Sequence, residues 1–391
     1  MNSSQAPNLI PPAGQEPGGP ATDEIGPAAL QAIPNARNTA GMPTPYLAID
    51  VEVMARNLQR MHSFFRGRKS RLRPHVKTHK CSTIARTQIA SGATGLTCST
   101  TDEVAAMSSA GIRDLLLANV VTDRVRLQRL ANVARDAEVT VAVDSTESAG
   151  LLSEAAKRSG ASIGVVIDCD IGMGRNGVSA VDEALHLANV AEELPALSVR
   201  GVMAYEGHLV GIADREERAR AAVGAFALAR EVFDQLRSAG FAVSIFTGGA
   251  TATYDSSGID PHMTDVQAGT YPLMDNTYAG LTPEFEPAAA VITTVLTVRS
   301  LGRLVLNVGS KRISTDVGIP RLVGYPAIFG YVAEEHTVFT LTSRSCPAVG
   351  ELVAVVPGHI CTTMAMHRRV PGYRDGVLET IFEIDARDPL A

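Results

Sequence analysis

Lys77 stands in the run Arg73-Pro74-His75-Val76-Lys77-Thr78-His79-Lys80, where a short apolar stretch hands over to a loop. A crowded lysine among other cations loses its proton readily, because its charged form is desolvated and repelled. Such an amine can form a Schiff base with an aldehyde. A solvated basic loop is the plain alternative, and the motif alone does not choose. Further along, Thr247-Gly248-Gly249-Ala250-Thr251 has the build of an anion cradle: adjacent glycines let backbone N–H groups point into one concavity, and threonines add hydroxyls. A tight turn without ligand has the same composition. Gly172-Met173-Gly174-Arg175-Asn176-Gly177 is a glycine-punctuated loop with one arginine, able to donate to an anionic oxygen without losing its charge. Near the end, His359-Ile360-Cys361 follows a strand and a Pro-Gly turn. In an extended segment, residues two apart face the same side, so imidazole and thiolate would meet at one point, as a zinc-type ion requires. A buried core cysteine is the bland reading of that pair.

Placing these groups together needs a scaffold. Short apolar runs at Arg71–Val76, Gly95–Cys98, Leu115–Asn119, Thr140–Val143, Gly164–Asp168, Ser198–Ala204, Ser244–Thr247 and Val266–Thr270 alternate with amphipathic helical stretches. Strict alternation predicts a parallel sheet. Eight repeats predict a closed (β/α)8 barrel over residues 51–284, with an open doubly wound sheet as runner-up. In such a barrel the chemistry lies at the C-terminal ends of the strands, and the lysine, the arginine loop and both glycine turns fall there. The turns after strands seven and eight, Thr247–Thr251 and Gly269-Thr270, occupy the usual phosphate positions of the fold. After about Phe285 the pattern becomes strands joined by turns, so residues 285–391 are expected to form an all-β domain, carrying the metal pair and joined by the early strand 44–50. Residues 1–42, rich in Pro, Gly, Ala, Asn and Ser, are expected to be a disordered arm.

Composition narrows the function. The formal net charge of −6 argues against non-specific nucleic-acid binding. The five cysteines are scattered without a CxxC motif, which suits reduced thiols and a cytoplasmic protein. No apolar run reaches the length of a membrane span.

Taken together, R-P-H-x-K-T-H-K, the D-x-G-M-G-R-x-G-V loop, the T-G-G-x-T turn, the segment Gln267 to Asp275 and the terminal P-x-H-x-C resemble the D-threonine aldolase and D-serine dehydratase family. That family lies within the alanine-racemase-like class of pyridoxal phosphate (PLP) enzymes. The resemblance spans about residues 44 to 386. It implies a PLP-bearing barrel, a β domain, a homodimer with a shared active site and a divalent metal beside the cofactor. Lys77 would then hold PLP and Arg175 would meet its phenolic oxygen. Tyr205 would sit beside the ring, and Thr247, Gly248, Gly249, Gly269 and Thr270 would bind the phosphate. His359 and Cys361 would hold the metal.

The implied reaction acts on a β-hydroxy-D-amino acid. The cofactor ring is an electron sink for a carbanion at Cα, and the metal acidifies the β-hydroxyl. Deprotonation of that hydroxyl breaks the Cα–Cβ bond and yields glycine and an aldehyde. Removal of the Cα proton by Lys77 expels hydroxide instead and yields a keto acid and ammonia, as in a D-serine or 3-hydroxy-D-aspartate dehydratase. A thiolate at Cys361 favours zinc over manganese or magnesium. Within the family that the chain resembles, H-x-C goes with the zinc dehydratases, whereas the aldolases tend to carry H-x-D. His208, after the sixth strand, offers a base for the hydroxyl and points to the aldolase, which is the expected activity; an ordinary loop histidine is the alternative. An amino-acid racemase and a non-catalytic PLP-binding protein are the remaining readings. The first would leave the metal pair idle, and the second would need no β domain.

Overall fold

The computed structural model describes residues 42–387. The expected arm over residues 1–42 falls, but for its last residue, outside the described residues. Eight strands form one all-parallel sheet. They are β2 (Arg71–Leu72), β3 (Leu96–Cys98), β4 (Asp114–Leu117), β5 (Glu138–Val143), β6 (Ile163–Cys169), β7 (Leu197–Ala204), β8 (Ile245–Gly248) and β9 (Asp265–Val266). Their order is β2-β9-β8-β7-β6-β5-β4-β3. A parallel bridge between His75 and Thr97 joins the two ends and closes the barrel. The first strand is regular for only two residues because Pro74 has no N–H to give. Pairing nonetheless continues on both sides: Arg73 and His75 donate to the carbonyls of Val266 and Ala268, and Thr97 donates to that of Pro74 at 2.8 Å.

β6 reads Ile-Gly-Val-Val-Ile-Asp-Cys and is buried throughout, as a parallel strand covered on both faces must be. Leu116, Ala142, Val166 and Met203 pack together from four different strands and fill the barrel. Helices cover its outside. Side chains cap several of them, including Thr100, Asp123, Ser145 and Asp214, each accepting an otherwise unpaired N–H of the first turn. The amphipathic stretch between β7 and β8 forms two helices, Arg215–Ala225 and Ala227–Ser238. They part at Phe226, whose ring is buried against Phe246, 6.0 Å away.

The C-terminal part is all-β apart from short turns and one short helix. Its sheet of nine strands includes β1 (Tyr46–Asp50), which pairs antiparallel with β10 (Ala289–Val298) and parallel with β16 (Arg369–Arg374). The early strand thus lies inside this sheet, between β10 and β16. β16 itself escaped the sequence reading because Val-Pro-Gly-Tyr carries two turn-forming residues. Among the described residues no helix is long and apolar enough to cross a membrane.

Candidate active site

Lys77 lies in a single tight turn, Val76–Thr78, directly after the bridge residue His75. It opens into a cavity of about 250 Å³ at the C-terminal end of the barrel. The wall also includes Arg175, Tyr205, Gly249, Thr251, Gly269, Thr270 and Tyr278. The Lys77 ammonium lies 5.3 Å from the centre of the Tyr205 ring, and the Arg175 guanidinium 6.0 Å from the same ring. Burial lowers the Lys77 pKa, and the charges of Arg175 and Lys80 push the same way, while Cys361 and Glu103 oppose them. Burial thus favours the neutral amine more than it would be favoured in a solvated lysine.

The two histidines act differently from the cations anticipated beside the lysine. Burial holds His75 well below its ordinary pKa and takes His79 down to about 4, so both are neutral. His79 Nδ1 accepts from Cys81 N–H at 3.1 Å. Its other nitrogen therefore carries the proton and donates to Gln88 at 3.1 Å, and Gln88 donates to the Tyr271 hydroxyl at 2.9 Å. This buried chain ties the lysine turn to the segment after β9. Lys80 reaches the buried Glu103, which also holds the backbone N–H of Ser99 at 2.6 Å.

The glycine turns meet over the cavity. Thr251 Oγ1 accepts the N–H groups of Thr270 (3.0 Å) and Tyr271 (3.2 Å), fastening one turn to the other. Gly249 has φ +82°, a conformation that side chains disfavour. A Cβ at Gly269 would lie 2.9 Å from Thr78 Oγ1 and 3.0 Å from the His75 carbonyl, so this glycine lets the backbone pass under the lysine turn. Of the five expected phosphate residues, Gly249, Gly269 and Thr270 line the cavity. Thr247 and Gly248 stand behind it: the Thr247 hydroxyl donates to the Asp265 carbonyl and accepts from Gln267. Ala250 and Thr251 line the wall beside Gly249.

His359 is the cap residue of the short helix Ile360–Ala365, so the segment is not extended through Cys361 as its sequence suggested. The two side chains nevertheless converge. The Cys361 sulfur lies within hydrogen-bond reach of His359, and with Asp316 it outweighs burial and raises the His359 pKa to about 9. Cys361 Sγ also contacts Thr78 Oγ1 at 3.3 Å, next to Lys77. His359 Nδ1 is 3.0 Å from Asp316 Oδ1. A carboxylate behind a metal-binding imidazole is a recurrent orienting device. Asp316 was not picked out in the sequence, and no local motif marks it. Among the described residues no group of three or more His, Cys, Asp or Glu is placed to hold a metal. An ion held between these two side chains would meet one nitrogen and one sulfur.

His208 is exposed and does not line the cavity. It packs on Gly172, at the rim formed by the arginine loop. Behind Arg175 runs a polar relay: Arg175 donates to Asn176 at 3.0 Å, and Asn176 donates to Asp168 at 2.9 Å. Burial pushes the Asp168 carboxyl up to about 7. Tyr278 also stands in the cavity wall, close enough to Tyr205 and Cys361 to feel their charges.

A barrel with a desolvated lysine at its mouth, an arginine, an aromatic ring and paired glycine turns defines the alanine-racemase-like class of PLP enzymes. Residues 49–276 match the family profile "Alanine racemase, N-terminal domain", and residues 288–373 match "Putative serine dehydratase domain". The chain is 33% identical over 354 residues to a D-threonine aldolase from Arthrobacter sp, covering 89% of this chain and 93% of that protein. It is 30% identical to a 3-hydroxy-D-aspartate aldolase of Paracoccus denitrificans (strain Pd 1222), over 88% of this chain and 92% of the relative. A crystal structure of D-threonine aldolase from Filomicrobium marinum superposes with a TM-score of 0.86 at 32% identity, covering 89% and 97% of the two chains. The chain belongs to the D-threonine aldolase family of this class.

Proposed function

We propose that the protein is a PLP- and metal-dependent lyase that splits β-hydroxy-D-amino acids by retro-aldol cleavage into glycine and an aldehyde. The observation that carries this reading is the contact between Cys361 and Thr78, which puts a nitrogen–sulfur ligand pair one residue from the desolvated amine of Lys77. Bound at Lys77, PLP supplies an electron sink for charge developing at Cα. Lys77 provides the amine that anchors it and a neutral base at Cα. Arg175 faces the ring edge, Tyr205 its side, and Gly249, Gly269 and Thr270 the phosphate, with Thr247 and Gly248 supporting the turn from behind. His359 and Cys361 hold a divalent ion, for which zinc suits the donors best and manganese or magnesium are the other candidates. His208, on the rim, is the base for the β-hydroxyl, reaching it once substrate fills the cavity.

Two aldolases among the similar proteins support the carbon–carbon branch. The thiolate ligand and the serine dehydratase profile over residues 288–373 support the second reading, a D-serine or 3-hydroxy-D-aspartate dehydratase. We take the working form to be a cytoplasmic homodimer; the exposed Val317 and Ile319 beside Asp316 suit a covered face.

The deciding experiment incubates the PLP- and zinc-loaded protein with D-threonine, D-phenylserine, D-serine and D-threo-3-hydroxyaspartate. Glycine plus aldehyde is the expected outcome, lost on chelation and restored by metal. Keto acid plus ammonia from every substrate would move the protein to the dehydratase branch. Lys77→Ala is expected to lose both the visible cofactor band and turnover, and a variant retaining either would overturn the reading.

A further inference from the structure

Glu206 follows Tyr205 in the chain and is wholly buried. Among the described residues no cation bonds to it. Instead its carboxyl group gathers the turn that forms the cavity's glycine wall. Oε1 accepts from the hydroxyls of Thr253 (2.5 Å) and Ser257 (3.0 Å), and Oε2 accepts from the backbone N–H of Gly249 (3.2 Å). Thr253 Oγ1 accepts in turn from the N–H of Ala250 at 3.0 Å. Four donors between residues 249 and 257 thus end on one carboxyl group, directly or through one hydroxyl. The Gly249 and Ala250 N–H groups, natural candidates to meet a phosphate, are already engaged with their own protein. These bonds fix the shape of the turn that faces the cavity. What the turn shows to the cavity is the wall Gly249–Thr251, facing Thr270.

The turn is also tightly confined. A Cβ at Gly249 would come within 2.9 Å of Val266 and 3.2 Å of Ser257. A glycine pair in a surface loop would have to be ordered by its ligand, and that cost weakens binding. Burial raises the Glu206 pKa, so the surrounding hydroxyls and N–H groups are what make the site tolerable for a carboxyl group. We propose that Glu206 is a positioning residue that holds the Gly249–Thr253 turn ready for the cofactor phosphate and couples it to Tyr205 at the ring. This rests on the reading that the cavity takes PLP.

The phosphate makes the test selective. Apo-protein is titrated with PLP and with pyridoxal, which has the same ring and aldehyde but no phosphate, and binding is followed by the ligand's absorbance. Glu206→Ala is expected to weaken PLP at least tenfold and to change pyridoxal by less than twofold. Glu206→Gln, whose carbonyl can still accept from Gly249, should recover most of the loss. Thr253→Val removes the relay hydroxyl and should lower the same PLP-to-pyridoxal preference; it stands in if the alanine variant does not fold. An unchanged preference, equal loss for both ligands, or tighter PLP binding would each overturn the role. Wild-type protein that binds neither ligand removes the cofactor reading itself, and this inference with it.

Discussion

Lys77 gains its chemistry from displacement of water more than from the basic neighbours that first drew notice. His75 and His79 are neutral inside the fold, and the repelling charges are Arg175, from a loop about a hundred residues away, and Lys80. Burial, more than the flanking histidines, is what lowers the pKa of this amine. Gly269 shows the converse. It read as one glycine of a cradle, yet its missing side chain serves the lysine turn that crosses it. Gly269→Ala is therefore expected to do more than trim an anion site. The contact with a backbone carbonyl cannot be relieved by a rotamer change, so overpacking of about 1–3 kcal/mol should appear as a lower Tm of the apo-protein. PLP affinity should fall with it. An alanine variant with unchanged Tm and affinity would show that the turn can slide.

Secondary-structure elements near the site are short, and they are held by buried polar groups more than by periodic apolar faces. Asp275 is the clearest case. It is fully buried and accepts the N–H of Tyr278 at 2.9 Å and that of Ile360 at 3.0 Å. One carboxylate thus fixes both the helix Asn276–Leu281, which brings Tyr278 to the cavity, and the segment between His359 and Cys361. Asp275→Asn keeps one acceptor and turns a donor toward the other N–H. We expect a loss of about 1–3 kcal/mol in denaturant unfolding, as for a buried group left unpaired, together with weaker zinc retention in dialysis. A loss of stability with zinc affinity intact would confine Asp275 to the helix cap. Arg218 works in the same manner on another side. It is buried and donates only to the carbonyls of Ile212, Ala213, Ala252 and Leu281, which join the rim loop, the cradle and the Tyr278 helix.

The whole molecule buries histidines in their neutral form, and these add one acid-sensitive part to its stability. Burial takes both His79 and His367 down to about 4, from the ordinary value near 6.5. Each group binds its proton more readily when unfolded. Their contribution to stability is therefore complete above about pH 6.5 and drains away as pH falls toward 4, at up to about 3 kcal/mol apiece. Urea unfolding at pH 7 and pH 4.5 should show this loss. His367→Gln, which can keep the donation to the Arg312 carbonyl, should remove its share of the slope. An identical slope in that variant would assign the acid response elsewhere.

Much of this architecture was already legible along the chain. Alternating apolar and amphipathic stretches dictate a parallel sheet because buried strands and covering helices have different periods, and that pattern survives any detail of packing. Lys77, Arg175, Gly269, His359 and Cys361 could be found because their residue types are costly to place without reason and they fall at strand ends or turns. Asp316 could not, and neither could the contacts that Asp275, Glu206 and Tyr278 make. Each acts on a partner far away in sequence or across the cavity, and a lone carboxylate or tyrosine carries no local signature. The exchange of the Thr247 hydroxyl from ligand wall to barrel interior likewise depended on Gln267 and Asp265, brought beside it by the closing strands. Local composition specifies which elements form, because propensity and burial period act over a few residues. Which polar groups face the cavity is decided only when the barrel closes, since that choice belongs to contacts between distant segments.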